Sequence, residues 1–411
     1  MRFVVLIGLF IINFSFALDL EKVVELAKER ATKVKLSKLD LQKLDQQVKE
    51  LKGNIYPSLT ATGQYTRWDP DYVFGFTPLN QYNFSINLNQ NLFDYTVLES
   101  LKYAKKNKEL QKFIIEDITN SVVETAKNMY LDVLLKKEAL NVKKENLDYW
   151  QSYFDFVKEK YEVGIVPKID FVNAKAKLFL AKAQLKQVEA EYTTAVQSLK
   201  RLLLIDKDIQ IEDSLKYSEI KLPEIPENLE KINTTLKVYS KKLEVAQQYV
   251  KVQKADYYPK LHFQASYLYN NYVKFPAKTE EFRGGYQLGL RADWNIYDGN
   301  KRKAKVMQAE IDKLKEQKTF EDKLFEIKTD VNTTLSNIKA AKLEIEAMKE
   351  NLMASKENLE LATERYKTGI GNQLEVENAE NSYQQARFNY LSSVYKYYRY
   401  INHLSALLNQ N

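Results

Sequence analysis

The places where helix-breaking residues are missing constrain this chain most. It has 411 residues with 11 glycines and 8 prolines, and none of them falls within 95–163 or 300–368. Glycine and proline are the residues that weaken or break helix interiors. Two uninterrupted helices of roughly 70 residues are therefore allowed, each about 100 Å long at the standard rise. Helices that long need partners along their whole length.

Both windows end in the same kind of segment. The first leads into Tyr161-Glu-Val-Gly164-Ile165-Val-Pro167-Lys168-Ile-Asp170-Phe-Val-Asn173-Ala174. The second leads into Tyr366-Lys-Thr-Gly369-Ile370-Gly371-Asn-Gln-Leu-Glu375-Val-Glu377-Asn378-Ala379. Tyr, Gly, Ile, an acid, Asn and Ala recur at one offset, 366 − 161 = 205. A period this large indicates two structural halves rather than a solenoid of short units.

The rest of the chain repeats in the same order. Leu20 to Lys52 reads as a helix, with Leu36, Leu39, Leu44, Val48 and Leu51 at apolar positions, and Gly53 and Tyr56-Pro57 end it. Leu229 to Lys254 reads as its twin, and Tyr258-Pro259 matches Tyr56-Pro57. An extended stretch, Ser58 to Trp68, precedes the clearest strand, Tyr82 to Phe93. There Tyr82, Phe84, Ile86 and Leu88 alternate with Asn83, Ser85, Asn87 and Asn89. Leu261 to Tyr269 and Tyr286 to Ile296 alternate in the same way, with His262 on the polar side. One face apolar and the other rich in amides is what lipid on one side and water on the other demand of a membrane barrel strand.

The long helices carry 3–4 apolar seams. The first runs through Val133, Leu140, Leu147, Trp150, Phe154, Val157 and Tyr161, the second through Ile338, Ala341, Ile345, Met348, Leu352, Ser355, Leu359, Ala362 and Tyr366. Shorter helices follow, from about Ile169 to Leu204 and from Leu374 to Leu408. These patterns set the expected organisation. Residues 1–17 form a signal peptide, an apolar run after Arg2 that closes on Ser15-Phe16-Ala17. A first repeat spans 18–204, a connector with Pro223 and Pro226 spans 205–228, and a second repeat spans 229–411.

Composition excludes several classes. With no cysteine there is no disulfide, no thiolate zinc site and no lipidated N-terminal cysteine. A net charge of +7 is spread over 62 basic and 55 acidic residues in alternation, so no compact patch points to nucleic acid. No nucleophile elbow, phosphate loop or metal cluster stands out, so the reading is not an enzyme, with no catalytic, cofactor-binding or metal residues. Four strands cannot close on themselves, and an open sheet is not viable in lipid, so the strands are expected to be shared between copies.

The signal segment, the duplication, Tyr-Pro before the first strand of each half, the strand exits Leu92-Phe93-Asp94 and Ile296-Tyr297-Asp298-Gly299, and the Tyr-x-x-Gly turns resemble the TolC-like outer membrane efflux proteins. The resemblance covers essentially the whole mature chain. It implies α-helices plus a membrane β-barrel: a homotrimer with a 12-stranded barrel in the outer membrane, and long coiled-coil helices forming a periplasmic α-barrel. It implies an exit duct of tripartite efflux or type I secretion, with a periplasmic adaptor, an inner-membrane pump and outer-membrane lipid as partners and no cofactor. It further implies an aperture at the turns, where Tyr366 and Asp170 tie the gate. Glu375 and Asn378 match the two acid positions of the ring, and Gly164, Ile165, Gly369 and Ile370 match the tips that meet the adaptor. Two departures stand out: Gly371 where some members carry an Arg, with Lys168 or Lys367 as substitutes, and Asn378 where an acid is expected. Trp68, Tyr72, Phe74, Phe76, Tyr267, Tyr269, Tyr272, Phe282 and Trp294 suit an interfacial girdle. The competing readings are a secreted or surface coiled-coil or adhesin and, second, a periplasmic adaptor, which also has helical hairpins.

Overall fold

The structure, a computed structural model, describes residues 16–73, 77–274, 279–368 and 370–410. Most of the expected signal segment, together with Phe74, Gly75, Phe76, Pro276 and Gly369, lies outside the described residues. The element order is β1 (Phe16–Ala17), α1 (Leu20–Arg30), α2 (Thr32–Gly53), β2 (Ser58–Arg67), β3 (Asn80–Phe93), α3 (Tyr95–Glu162), α4 (Lys168–Leu203) and β4 (Ile209–Gln210). There follow α5 (Leu229–Ile232), α6 (Thr234–Ala255), β5 (Lys260–Lys274), β6 (Thr279–Asp293), α7 (Lys301–Lys367) and α8 (Gln373–Leu407). The glycine- and proline-free windows do become single helices, α3 with 68 residues and α7 with 67.

Three expected elements are corrected. Leu20–Lys52 is two helices, because Ala31 leaves the helical region at φ −54°, ψ 128°. Leu229–Lys254 is also two, broken at Asn233 with φ −65°, ψ 125°. The two breaks stand 233 − 31 = 202 residues apart, the offset of the repeat in that region. Each has a reason in packing. Ala31 and Asn233 are both buried, and the Asn233 amide donates to the Leu407 carbonyl at 2.9 Å. Neither position holds glycine or proline, so propensity gave no warning. Leu36 and Leu39, expected on the apolar side, are more than half exposed, while Val23, Leu26, Ala27 and Val34 are buried. The third correction is β6, which ends at Asp293, although the apolar alternation continues to Ile296.

By packing, the chain forms two compact units. One comprises Ser37–Ile114 and Thr235–Leu324. It holds an antiparallel sheet in the order β2-β3-β5-β6, in which β2 and β6 each have one unpaired edge. The register sorts the side chains by face. Gly63, Phe84 and Tyr269 are level on one face, as are Ala61, Ile86, Tyr267 and Tyr286. Thr60, Asn87, Ser266 and Gln287 are level on the other. His262 lies with Asn91 and Arg291 on that polar face, and its Nδ1 is 2.8 Å from Asn91 Oδ1. Among the described residues the apolar face has no cover: Phe84 and Ile86 are each 51% exposed and Tyr286 is 80% exposed. Where the β3·β5 ladder ends at Asn83·Asn270, the buried Asn271 side chain takes over. It accepts from the Tyr82 N–H at 2.7 Å and donates to the Asn80 carbonyl at 2.6 Å, so those backbone groups stay paired. Helices leave the sheet through matched caps. Asp94 accepts from the Thr96 N–H at 2.9 Å, and Asp298 accepts from the Arg302 N–H at 3.0 Å.

The other unit comprises the described residues up to Leu36, Ile115–Thr234, and those from Phe325 on. The α7 seam is as expected in its middle. Ile338, Ala341, Ile345 and Ser355 are buried, and Ile327, Val331 and Thr334 extend the spacing. On α3, Val133, Trp150 and Val157 are buried, while Leu140, Leu147, Phe154 and Tyr161 are half-buried. The connector is a strap held by side chains. Tyr398 Oη accepts from Ser218 N–H and donates to the Lys216 carbonyl, Tyr397 Oη accepts from Ile220 N–H, and the Lys137 ammonium donates to the Asp213 carbonyl.

His403 on α8 staples three helices. Its Nδ1 lies 2.8 Å from Glu124 on α3 and its Nε2 lies 3.1 Å from Asp330 on α7. The hydrogen bond to Glu124 outweighs burial, and with Asp330 it pushes the imidazole up to about 9 from its ordinary 6.5. A raised pKa in the folded state makes the imidazolium stabilising. That contribution is complete below pH 6.5 and is lost as pH rises through about 9. Denaturant midpoints recorded from pH 6 to 10 should fall across that window in the wild type, and H403N should flatten the fall. An equal slope in both would remove the staple from the account.

Candidate functional site

The α3–α4 and α7–α8 turns are built by backbone geometry. At the first, the Ile165 N–H donates to the Lys160 carbonyl at 2.9 Å and the Gly164 N–H to the Tyr161 carbonyl at 3.0 Å. That crossed pair is the Schellman closure of a helix end, and it needs a left-handed residue, here Gly164 at φ +77°. At the second, Ile370 N–H donates to the Arg365 carbonyl at 3.0 Å, the same bond 205 residues on. Gly371 adds a bond of its own to Arg365 O at 2.9 Å. A Cβ at Gly371 would lie 3.1 Å from Arg365 Cβ and from Tyr366 N, so this close approach suits glycine. Position 371 therefore closes the turn instead of supplying a cation.

The helix starts differ in kind. α4 begins at Pro167 with no side-chain cap, and Asp170 lies half-buried in its first turn. α8 begins at Asn372, whose Oδ1 accepts from the Glu375 N–H at 3.0 Å while its Nδ2 lies 3.3 Å from Glu375 Oε1. Arg365 Nε stands 3.9 Å from the other Glu375 oxygen. Glu375 is thus exposed but already engaged by Asn372 and faced by Arg365. Asn378 is exposed on the next turn of α8, and Glu377 is ion-paired to Lys177 of α4. The tips are bare: Ile165 and Ile370 are 67% and 75% exposed, and Gly164 is also exposed. Among the described residues Lys168 makes no ion pair, and the cation that faces the second turn's carboxylate is Arg365; the Lys367 side chain lies outside the described residues.

Behind the turns the packing is aromatic. Tyr161 stacks on Phe171 at 5.0 Å and Phe154 meets the same ring at 5.7 Å. The Tyr366 ring meets Phe156 edge-on at 6.4 Å. Tyr149 and Tyr153 of α3 both lie in the electrostatic reach of Tyr366. Burial first, and then Tyr366, hold the Tyr153 phenol neutral well above its usual range, with Asp170 adding to the effect. Its hydroxyl is buried and closes no hydrogen bond of ordinary geometry, to Tyr366 or to any other described group. Tyr366 and Asp170 are therefore gathered around one phenol, with no direct hydrogen bond between the two. Further along, Glu380 is buried and accepts from Asn146 of α3 at 3.1 Å and from Gln384 at 2.7 Å, and Arg387 pairs with Glu145.

Tyr153, Arg365, Asn372 and Glu380 are additions to the expected set. Asn372 had a readable signal, an Asn three residues before a Glu at a helix start. Tyr153 and Glu380 had none, because their burial comes from a neighbouring helix. Among the described residues no cluster of His, Asp and Glu could hold a metal ion. A cleft of about 400 Å³ between α3, α4 and α8 is lined by Lys136, Lys143, Trp150, Lys177, Gln184 and Phe388. Its lysines are taken up by Glu191, Gln184 and Glu377, so it reads as a seam between helices.

The Outer membrane efflux protein family matches this chain over residues 23–203 and 225–410. Among curated proteins, the toxin and drug export protein A of Aggregatibacter actinomycetemcomitans is 20% identical over 283 residues, 68% of this chain and 60% of that protein. The aligned part thus spans less than two thirds of that relative. The fold is similar to the Campylobacter jejuni CmeC outer membrane channel, with TM-score 0.79 and 17% identity over 95% of this chain and 85% of that one. It is equally similar to the Neisseria gonorrhoeae MtrE outer membrane channel, with TM-score 0.79 and 19% identity over 95% and 88%. A membrane protein of Pseudomonas aeruginosa gives TM-score 0.80 at 17% identity over 96% and 91%.

The turn geometry has a direct test. Gly164→Ala should destabilise by about 1–2 kcal/mol through its left-handed backbone alone, since nothing crowds a Cβ there. Asn372→Ala should cost about 1 kcal/mol as a lost cap. Denaturant unfolding of both variants measures this, and wild-type stability in G164A would contradict the backbone argument.

Proposed function

The chain belongs to the Outer membrane efflux protein family, and from that premise we propose that it is the exit duct through which an inner-membrane pump, joined by a periplasmic adaptor, discharges cargo across the outer membrane. Its strands lie in that membrane and its helices extend into the periplasm. One observation carries the reading: the four-stranded sheet has an uncovered apolar face, an amide-rich opposite face and two unpaired edges. Lipid accepts the first face and water the second, but hydrocarbon accepts no open edge. Copies therefore supply one another's edges. Three give 12 strands, above the smallest bacterial barrels of about eight. The two sequence repeats, 18–204 and 229–411, then each contribute two strands and one helical hairpin. Small toxic molecules or a secreted protein are the cargo classes that fit, and toxin and drug export is what the curated relative is named for.

The turns form the periplasmic aperture of this duct, with the bare Gly164, Ile165 and Ile370 tips meeting the adaptor. Asp170, Tyr366, Glu375 and Asn378 line or hold it. Glu375 gives one carboxylate per copy, a ring that favours cations by Coulomb attraction. Arg365 beside it and the neutral Asn378 weaken that preference.

Reconstitution in planar bilayers tests the whole reading. The purified protein should form an oligomer with discrete, weakly cation-favouring conductance. Glu375→Gln should lower the cation preference, and Tyr366→Phe with Asp170→Ala should raise single-channel conductance. A monomer with no conductance would end the duct reading. Unchanged conductance in the double variant would return Tyr366 and Asp170 to ordinary packing roles.

A further inference from the structure

All four long strands join their helices at one end of the sheet, and the other end carries the β2–β3 and β5–β6 connections. Near that helix-free end four rings make one row across the apolar face. Tyr65 and Tyr82 stand 5.1 Å apart, Tyr82 and Phe282 6.1 Å, and Phe282 and Tyr269 5.4 Å. An aromatic row on a lipid-facing sheet marks the level where hydrocarbon gives way to head groups.

Arg67 stands one step beyond the row. It lies two residues past Tyr65 and is paired in register with Asn80. The Tyr65 hydroxyl donates to Asn80 Oδ1 at 3.1 Å, which puts Asn80 and Arg67 on the ring side of the sheet. Arg67 is exposed, and among the described residues it makes no ion pair. The other described cations of this end, Lys274 and Arg283, lie on the polar face, where Lys274 is paired to Glu281 and Arg283 is level with Asn270 and Asn83. Glu280 shares the face of Arg67 but belongs to β6, three strands or roughly 14 Å away. It is already engaged by the Asn271 amide at 3.3 Å.

On the hydrocarbon side of the row the face is hollow. The small Ala61 and Gly63 of β2 lie beside the larger Phe84, Ile86, Tyr267 and Tyr269 and leave a groove of about 470 Å³. A Cβ at Gly63 would already stand 3.3 Å from the Phe84 ring, so the groove depends on that missing side chain. Tyr269 belongs to both the row and the groove. Arg67 follows Gly63 by four residues on the same strand and the same face, about 14 Å. An apolar groove below the head-group level with a free guanidinium above it is complementary to an acyl chain that ends in an anion. The planar fork of arginine matches phosphate bidentately. With the helices on the periplasmic side, the helix-free end lies in the outer leaflet, where the phosphate-bearing acyl lipid is the glycolipid lipid A.

We propose that this face binds a phosphorylated acyl glycolipid of the lipid A type, with an acyl chain in the groove over Ala61 and Gly63 and a phosphate on Arg67. The proposal rests on the duct reading for the side of the membrane, and it adds a lipid site with a named cation.

Titration of the purified protein in detergent with lipid A, followed by native mass spectrometry, tests it. The wild type should hold lipid A about fivefold more tightly than the dephosphorylated form, the gain expected of one cation at a membrane surface. Arg67→Gln should erase that difference and leave binding of the dephosphorylated form unchanged. Ala61→Phe, which fills the groove, should weaken both forms. Equal retention of the two forms by the wild type, or a phosphate preference that survives R67Q, overturns the site. Phosphatidylglycerol held as tightly as lipid A overturns the glycolipid assignment. An oligomer weakened alike by R67Q and E280Q, with lipid retention unchanged, gives Arg67 to an ion pair across the sheet edges and overturns the site as well. Conductance is a separate readout. A conducting oligomer without the phosphate preference ends the lipid site and leaves the duct, whereas a protein that binds lipid A through Arg67 but never conducts ends the duct reading.

Discussion

An unpaired strand edge in hydrocarbon is the condition the rest of this molecule answers to. Every exposed backbone N–H or C=O there costs several kcal/mol, because lipid offers no hydrogen-bond partner. The sheet meets that condition internally wherever it can. β3 and β5 are paired on both sides, and where their ladder ends the Asn271 amide substitutes for the missing strand neighbour. Among the described residues it fails at β2 and β6. Those two edges are left to be satisfied from outside the four-stranded sheet.

Much of this was legible in the sequence, for reasons that can be named. The absence of glycine and proline over 95–163 and 300–368 set the two long helices almost to the residue. Period-two alternation told lipid face from water face because a strand with one wet and one oily side has no other stable pattern. The offset of 205 found the turns because a left-handed Schellman closure needs a residue such as Gly164. What escaped depended on contact across the chain. Ala31 and Asn233 break their helices through tertiary packing, and no local propensity marks them. β6 stops at Asp293 because pairing stops, although the apolar rhythm runs on through Trp294 and Ile296.

At the turns the position of the candidate residues was legible and their wiring was not. The resemblance led to Tyr366, Asp170 and Glu375 as a set. It offered no view of Tyr153, because a tyrosine eight residues before Tyr161 on a long helix looks like any other seam residue. Nor did it indicate that Gly371, which lacks the expected charge, closes the turn by donating to the Arg365 carbonyl, or that the Arg365 side chain faces Glu375.

The Tyr153 hydroxyl is buried beside Tyr366 without a hydrogen bond of ordinary geometry. A buried donor left without an acceptor costs about 1–3 kcal/mol, so the polar satisfaction of this oxygen depends on how close the Tyr366 phenol stands at the end of α7.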